Sequence, residues 1–414
     1  MTPRARLRAL HAVQVVSRSG NVATTVAVPF AVLARGGSAT DVGIAAFAAT
    51  IPIVLGGAFG GVLVERVGFV RASVLSDLVS AVTLVAIPLL AWTVGLPPWA
   101  LLALVFAGGV FDQPGESGRR VLLPGLASAA GVPLERAVGH FEASTRFSVL
   151  LGAPAAGVLV GTLGAMPALA VTAAAFGAAA LLASTMLRGT AVPAPVTPAE
   201  PSRGYWRDLG DGLRFCVRDP LFRLVTSLVL VTNLLDAARS TALMPLYAAE
   251  QLGGAEALGL MSGTYGGAAF LGSLVFGYVA HRLRRRITFV VCFVLAGGPS
   301  LVAPALGLDL PWVLTAAAVS GLAAGALNPI LGAVELERIP EQMRARVFGL
   351  LGAGSWAGIP LGGLLGGVAA DGIGVTSAFG VVALLYTVVT LTPLLGGSWR
   401  LMERQPGKVP EPVV

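Results

Sequence analysis

The sequence predicts an all-α integral membrane protein with twelve transmembrane helices, arranged as two six-helix bundles related by a pseudo-two-fold axis along the membrane normal. Three observations predict it. Of the 414 residues, 55% are apolar and only 12% charged, and mean hydropathy is +0.82, whereas soluble domains carry about 25% charged residues. The stretches 42–64, 257–280, 310–334 and 347–370 contain no charged residue, and each reaches the roughly 20 residues that cross a hydrocarbon core. Landmark glycines and prolines recur at a constant offset between the two halves.

Taken in order, the predicted helices are 10–34, 41–64, 71–94, 98–118, 137–161, 166–187, 221–247, 256–280, 287–307, 311–334, 344–370 and 375–397. Two apolar runs, 78–111 and 147–187, are too long for one crossing and are interrupted by "GLPP" and "GTLGAMP", so each reads as a helical hairpin. Unbroken apolar runs exclude the alternating pattern of a barrel strand. The start "MTPRARLRAL" reads as the approach to helix 1. The apolar run after it is too long, too studded with polar residues and too poor in small-residue cleavage sites for a secretory signal.

With both termini on one side, 24 of the 28 Lys and Arg fall on that side, leaving Arg35 in the outer loops and Arg18, Arg146 and Arg239 within helices. This asymmetry places both termini in the cytoplasm. The pI of about 10.2 therefore needs no nucleic acid; anionic inner-leaflet lipid is the expected partner of these loops. Cys216 and Cys292 are too few and too far apart for a disulfide framework, and His11, His140 and His281 are scattered, so no metal site is expected.

An offset of 216 superimposes Pro29 on Pro245, Gly43 on Gly259, Gly56 on Gly272, Arg66 on Arg282, Pro88 on Pro304, Gly109 on Gly325 and Pro124 on Pro340. Later, Pro154 and Gly157 meet Pro360 and Gly363 at an offset of 206. Six helices per half is an even number, so both halves enter from the same side and enclose a central site at their interface. The expected organisation is an N-terminal bundle 1–187, a Pro-rich cytoplasmic linker 188–220 containing "AVPAPVTPAEPSRG", a C-terminal bundle 221–397 and a cytoplasmic tail 398–414.

The motif "GGVLVERVG" between helices 2 and 3 matches Gly-x-x-x-Asp-Arg-x-Gly through Gly61, Arg66 and Gly68, with Glu65 in place of the aspartate. On helix 5, Gly139, Gly152, Pro154 and Gly157 follow a degenerate form of Gly-x8-Gly-x3-Gly-Pro-x2-Gly-Gly, with the proline one position late. "QPGESGRRVLLPGLASAAGVPLERAVGHFEAS", "DGLRFCVRDPLFR" and "ELERIPEQMRARVFGLLG" add to the likeness. By these residues the whole chain resembles the major facilitator superfamily, and within it the drug:proton antiporter-like exporters, such as the actinobacterial Tap-type multidrug pumps and the enterobactin exporters. The resemblance implies that helices 1, 4, 7 and 10 line the cavity. It also implies that Glu65, Arg66, Arg71 and Asp77 form a charged latch at the cytoplasmic rim.

Charges within a membrane cost several kcal/mol and mark cavities or partners. Helix 7 carries Thr232, Asn233, Asp236, Arg239 and Ser240 on one face, and helix 1 carries Gln14, Arg18, Asn21 and Thr25 as one stripe. Three readings of Asp236 and Arg239 stand: a proton or cation site at Asp236 tuned by Arg239, a permanent i, i+3 ion pair that makes helix 7 insertable, or direct substrate contact. Asp112 is the second proton candidate. It aligns with Asn328 and precedes Glu116 by one turn, and its alternative role is to pair with Arg18 or Arg146. Glu142 and Arg146, at i and i+4 with the acid first, read as a helical pair of mainly structural role, with coupling as the alternative. Gly354, Gly358, Gly362 and Gly366 form a small-residue strip for close helix packing.

No phosphate-binding loop ending in Lys-Ser/Thr occurs, and the single lysine is Lys408, so a gradient rather than ATP is the expected energy source. No Ser/His, Cys/His or metal-ligand grouping shares a helix face, which argues against an enzyme, and no cofactor is expected. The expected function is proton-coupled efflux of amphipathic small molecules, drugs or a secreted metabolite, by alternating access. The expected setting is a monomer in a bacterial plasma membrane, with small molecules, protons and lipids as partners. A proton-driven nutrient importer and a transport-inactive membrane sensor or assembly protein are the alternatives.

Overall fold

The computed structural model describes residues 2–187, 205–339 and 344–403, without the side chains of 53, 55–66, 135, 205–209, 211–212, 281, 336, 344–346 and 348–349. The chain is helical throughout these residues. The first half runs α1 (Pro3–Leu33), α2 (Ala39–Val67), α3 (Phe69–Thr93), α4 (Pro98–Val110), α5 (Asp112–Ala130), α6 (Leu134–Leu163) and α7 (Ala165–Met186). The second runs α8 (Tyr205–Arg218), α9 (Pro220–Ala237), a π-helical turn Ala238–Leu243, α10 (Met244–Gln251), α11 (Ala255–Val279), α12 (Arg285–Ala305), α13 (Leu310–Arg338), α14 (Arg344–Trp356), α15 (Ile359–Ile373) and α16 (Val375–Leu391).

Among the described residues, nine helices are long and apolar enough to cross a membrane. The other three of twelve crossings are α1, whose first turns carry Arg4, Arg6 and Arg8, α2, and the pair α4 and α5, which meet at Phe111. Each start has a local cause. Thr2 caps α1 ahead of Pro3, and the Asp219 carboxylate accepts from Leu221 N at 2.8 Å and Phe222 N at 3.2 Å ahead of Pro220. Gly164, at φ 86°, and Gly374, at φ 83°, each turn the chain in one residue between the fifth and sixth crossings of their half, a conformation that side chains with a Cβ rarely adopt.

Several boundaries differ from the sequence expectation; α1 starts at Pro3 instead of 10 and α13 runs to Arg338 instead of 334, and three further differences change the architecture. The fourth crossing does not stop at 118; α5 continues to Ala130, where Gly131 at φ 65° ends it, because its charges lie along one face instead of marking a loop. Part of the expected loose linker is the helix α8, whose Phe215 packs on Phe222 with ring centroids 5.8 Å apart; residues 188–204 of that linker lie outside the described ones. The eleventh crossing is broken between Trp356 and Ile359, ahead of Pro360.

Two bundles result, α1–α7 and α9–α16. Short connections alternate between the end that carries the N-terminus, here the near end, and the far end. Between bundles, contact concentrates in two seams, α6 with α11 and α2 with α15, both in the far halves of these helices. A Cβ on Gly157 would lie 2.5 Å from the Ala255 carbonyl oxygen and 3.0 Å from Gly259 Cα; one on Gly43 would lie 2.8 Å from the Gly363 carbonyl oxygen and 3.1 Å from Gly367 Cα. The seams are equivalent under the repeat: Gly43 corresponds to Gly259, and Gly157 to Gly363. At the far end of the α2–α15 seam the Asp371 carboxylate accepts from Ala39 N at 3.1 Å and Thr40 N at 2.7 Å, an acid from one bundle capping a helix of the other.

Gly157→Leu is expected to disfavour the closed far end by the cost of overpacking, about 1–3 kcal/mol, which is about 5- to 150-fold in population. In a chain with Cys216 and Cys292 replaced by Ala, thiol labelling of Thr241→Cys from the far side should rise accordingly. Asp371→Ala removes a cap worth about 1 kcal/mol at an exposed position, and the same labelling should rise by no more than a few-fold.

Candidate functional site

Beneath the far-end seams lies a cavity of about 320 Å³. Its wall comes from α1 (Arg18, Asn21, Thr24, Thr25), α2 (Ala49, Thr50), α3 (Ser80, Thr83, Leu84), α4 and α5 (Val105, Gly108, Asp112, Gln113, Glu116) and Phe176 of α7. A second cavity of about 110 Å³ shares Thr24, Thr25, Ala49 and Thr50 with the first and reaches Ser240 and Thr241 in the π turn and Ser262 on α11. Together they form an amphipathic hollow that starts inside the N-terminal bundle and extends to the seam. Apolar walls with a few convergent polar groups are what a small-molecule site requires.

Asp112 and Glu116 bring acid to the larger cavity. Asp112 Oδ1 accepts from Ser80 Oγ at 3.3 Å and has no ion pair among the described residues. Glu116 lies 3.7 Å from the Arg18 guanidinium and 3.4 Å from that of Arg120. Of the stripe expected on helix 1, Arg18, Asn21 and Thr25 line the cavity, while Gln14 is buried and donates to Thr145 Oγ1 at 3.1 Å.

On the seventh crossing, Asp236 Oδ1 accepts from both Arg239 Nε at 2.9 Å and Arg239 Nη2 at 2.6 Å. The Arg239 side chain is 10% exposed and that of Asp236 46%, and the guanidinium carbon sits 5.2 Å from the centre of the Tyr265 ring, a cation–π arrangement. Asp236 thus anchors a buried cation where helix 7 widens into its π turn. Ser240 reaches the second cavity. Thr232 and Asn233 do not line either cavity: Thr232 donates to the Leu228 carbonyl at 2.9 Å, and Asn233 Nδ2 bridges to the Ser355 carbonyl at 2.9 Å. Asn328 is exposed and likewise lines neither.

Two expected pairings are corrected. Glu142 does not pair with Arg146; it meets Arg120 of α5 at 3.0 Å, and Arg146 is exposed with no ion pair among the described residues. The cause is that α5 is longer than expected and carries Arg120 alongside α6. Asp77 does not join a rim cluster with Arg71. It is fully buried, accepting from Ser17 Oγ at 2.7 Å and lying 3.6 Å from Arg119 Nη1, while Arg71 is exposed. The side chains of Gly61, Glu65 and Arg66 lie outside the described residues, and Gly68 turns the chain into α3 at φ 92°. In the helix 5 motif, Gly157 and Pro154 form the seam, Pro154 against Gly263; Gly152 packs on Ser19, and Gly139 has open space around it.

Sequence reasoning missed Arg119. It is 2% exposed and donates from Nε to Gln14 Oε1 at 2.8 Å and from Nη1 to Ser73 Oγ at 3.0 Å. The available signal was spacing: Asp112, Glu116 and Arg119 stand at i, i+4 and i+7, one face of α5.

With the geometry in hand, comparison with known proteins is direct. The family model of the Major Facilitator Superfamily matches residues 10–253 and again 226–413. The multidrug efflux pump Tap of Mycolicibacterium fortuitum is 31% identical over 88% of this chain and 89% of its own length. Tap of Mycobacterium tuberculosis (strain ATCC 25618 / H37Rv) is 29% identical over 89% of this chain and 88% of its own. Among solved structures, the nucleoside transporter NupG superimposes with a TM-score of 0.71 at 15% identity, covering 98% of this chain and 100% of that one. A POT family transporter in complex with 5-aminolevulinic acid gives 0.71 at 14% identity, covering 94% and 95%. These structural matches bear on the fold alone, which is that of a multi-pass helical membrane protein. By the family match along its length and by the identity to the mycobacterial pump, the chain belongs to the major facilitator superfamily.

Proposed function

We propose that this protein exports amphipathic small molecules, drugs among them, across a bacterial plasma membrane by proton-coupled alternating access. One observation carries the reading: an amphipathic hollow lined by Asp112 and Glu116, enclosed beneath two glycine seams at the far end. The likeness to Tap pumps supports drugs as the cargo. With one basic group, Arg18, against two acids, the lining favours neutral to cationic compounds, and Phe176 and Leu84 supply apolar contact.

The near end, which carries the start of α1 and most of the Arg residues, faces the cytoplasm, and its basic loops face anionic lipid. The far end then faces outward, and the arrangement described here is the one that loads cargo from inside. Export requires the seams to part while near-end contacts form. The chain works as a monomer, since one copy supplies both bundles and the whole cavity. A proton gradient drives the cycle. One charge crossing 100 mV supplies about 2.3 kcal/mol, enough for roughly fiftyfold accumulation. Asp112 is the group that exchanges the proton with the cavity, because it faces the hollow without an ion pair.

Expression in a drug-hypersensitive bacterial host should raise resistance to several chemically unrelated cationic drugs severalfold and lower their accumulation, and a protonophore should remove the difference. Asp112→Asn, expressed at the same level, should return resistance to that of the host alone. Unchanged resistance in that variant removes Asp112 from the coupling step, and unchanged accumulation in the wild type ends the export reading.

A further inference from the structure

Outside the cavity, the N-terminal bundle holds a second ionisable group that nothing in the substrate path explains. Asp77 on α3 is 0% exposed. Its Oδ1 accepts from Ser17 Oγ at 2.7 Å, and its Oδ2 has no hydrogen-bond partner. The Arg119 guanidinium approaches Oδ2 to 3.6 Å but commits Nε to Gln14 and Nη1 to Ser73. One turn along α3 from Asp77, Ser80 donates to Asp112. Among the described residues, the other ionisable groups facing this region are Arg18 of α1, Glu116 and Arg120 of α5 and Glu142 of α6: Glu116 lies 3.7 Å from Arg18 and 3.4 Å from Arg120, and Arg120 meets Glu142 at 3.0 Å. Helices α4 and α7 contribute none.

The charge count follows. Among the described residues, Arg18 and Arg120 balance Glu116 and Glu142, leaving two carboxylates, Asp77 and Asp112, against one guanidinium, Arg119. A net negative charge in a buried region is costly, and two carboxylates competing for one cation do not both stay ionised. One proton restores neutrality.

The repeat gives independent support. At the offset of 216 the counterparts of Ser73 and Asp77 are Phe289 and Phe293, buried and packed edge to face with centroids 4.7 Å apart. The place of Asp77 and Ser73 is therefore filled by aromatic rings in the C-terminal half, and the place of Arg119 by Glu335, so the acid–cation pair is not repeated there. The same fold thus forms in the C-terminal half without this acid–cation pair, so the fold does not require it in the N-terminal half.

We propose that Asp77, Asp112 and Arg119 form a two-carboxylate, one-guanidinium site that holds one exchangeable proton, with Asp77 its buried half and Asp112 its half open to the cavity. The proton enters from water at a carboxylate oxygen, converting one carboxylate to the acid, and leaves to water as the carboxylate is restored; no other bond changes. This inference rests on the proton-coupled reading for its role in transport but not for the existence of the site.

The test is an infrared pH titration of the purified full-length chain in lipid nanodiscs, following the protonated-carboxyl stretching band. The wild type is expected to show a band equivalent to one carboxyl per chain. Asp77→Asn or Asp112→Asn should each abolish it, because one carboxylate then balances Arg119, and Arg119→Gln should double it. Asp236→Asn should leave it unchanged. If Asp77→Asn does not fold, Ser17→Ala, which removes the hydrogen bond to Asp77, should displace the band's midpoint. Absence of the band, or a band indifferent to Asp77→Asn and to Ser17→Ala, overturns the proposal. A band that obeys these rules in a protein that no pH gradient drives in proteoliposomes leaves the site standing and rejects proton-coupled export.

Discussion

Lipid gives two apolar bundles no hydrophobic reason to stay together, so their association must come from close packing and hydrogen bonds. In this protein that constraint is met by backbone-to-backbone approach at glycines. Gly157 meets Gly259, and Gly43 meets Gly363 and Gly367, at distances no other residue type allows. Everything else in the arrangement depends on these two seams. They fix the far end as the closed end, they place the π turn of the seventh crossing beside α2, and they roof the hollow reached from α1, α3 and α5.

The intra-bundle glycines do different work. Gly354, Gly358, Gly362 and Gly366 lie against α9 and the π turn, touching Thr226, Leu230, Leu234 and Ala238. They let the eleventh crossing nest on the seventh within one bundle. Gly363 and Gly367, one position along, turn outward to the other bundle. A single helix thus presents one small-residue face inward for permanent packing and another outward for a contact that has to break.

The fold was legible in the sequence because its signals are periodic and redundant. Charge-free runs located the crossings, and the offsets of 216 and 206 already matched Gly43 to Gly259 and Gly157 to Gly363, although only the structure reveals that the seams join Gly157 to Gly259 and Gly43 to Gly363. The cavity stripe on α1 was legible for the same reason, since Arg18, Asn21 and Thr25 share a face. Partners across helices were not legible. Glu142 has an arginine four residues away on its own helix and a better placed one, Arg120, on a neighbour; spacing reports the first and is silent on the second. Arg119 was lost through a boundary, because "GESGRR" reads as a loop by charge although its charges follow a helical face. The π turn left no trace, since Ala238–Leu243 has the composition of ordinary helix and no proline or glycine inside it.

Asp236 and Asp112 show why an acid within a membrane helix is not by itself a proton site. Asp236 makes two short hydrogen bonds with one buried guanidinium that lies over the Tyr265 ring. Protonating it would leave Arg239 buried without an anion, which costs about 3–5 kcal/mol when one partner of a buried pair is lost, reduced here by the partial exposure of Asp236. Asp112 accepts one long hydrogen bond from a serine, and the buried cation on its own helix face, Arg119, lies against a second acid, Asp77. Protonation there relieves an excess of negative charge instead of creating an excess of positive charge. Both acids sit on polar faces of membrane helices and look alike in sequence, but the number of cations within reach assigns them opposite roles.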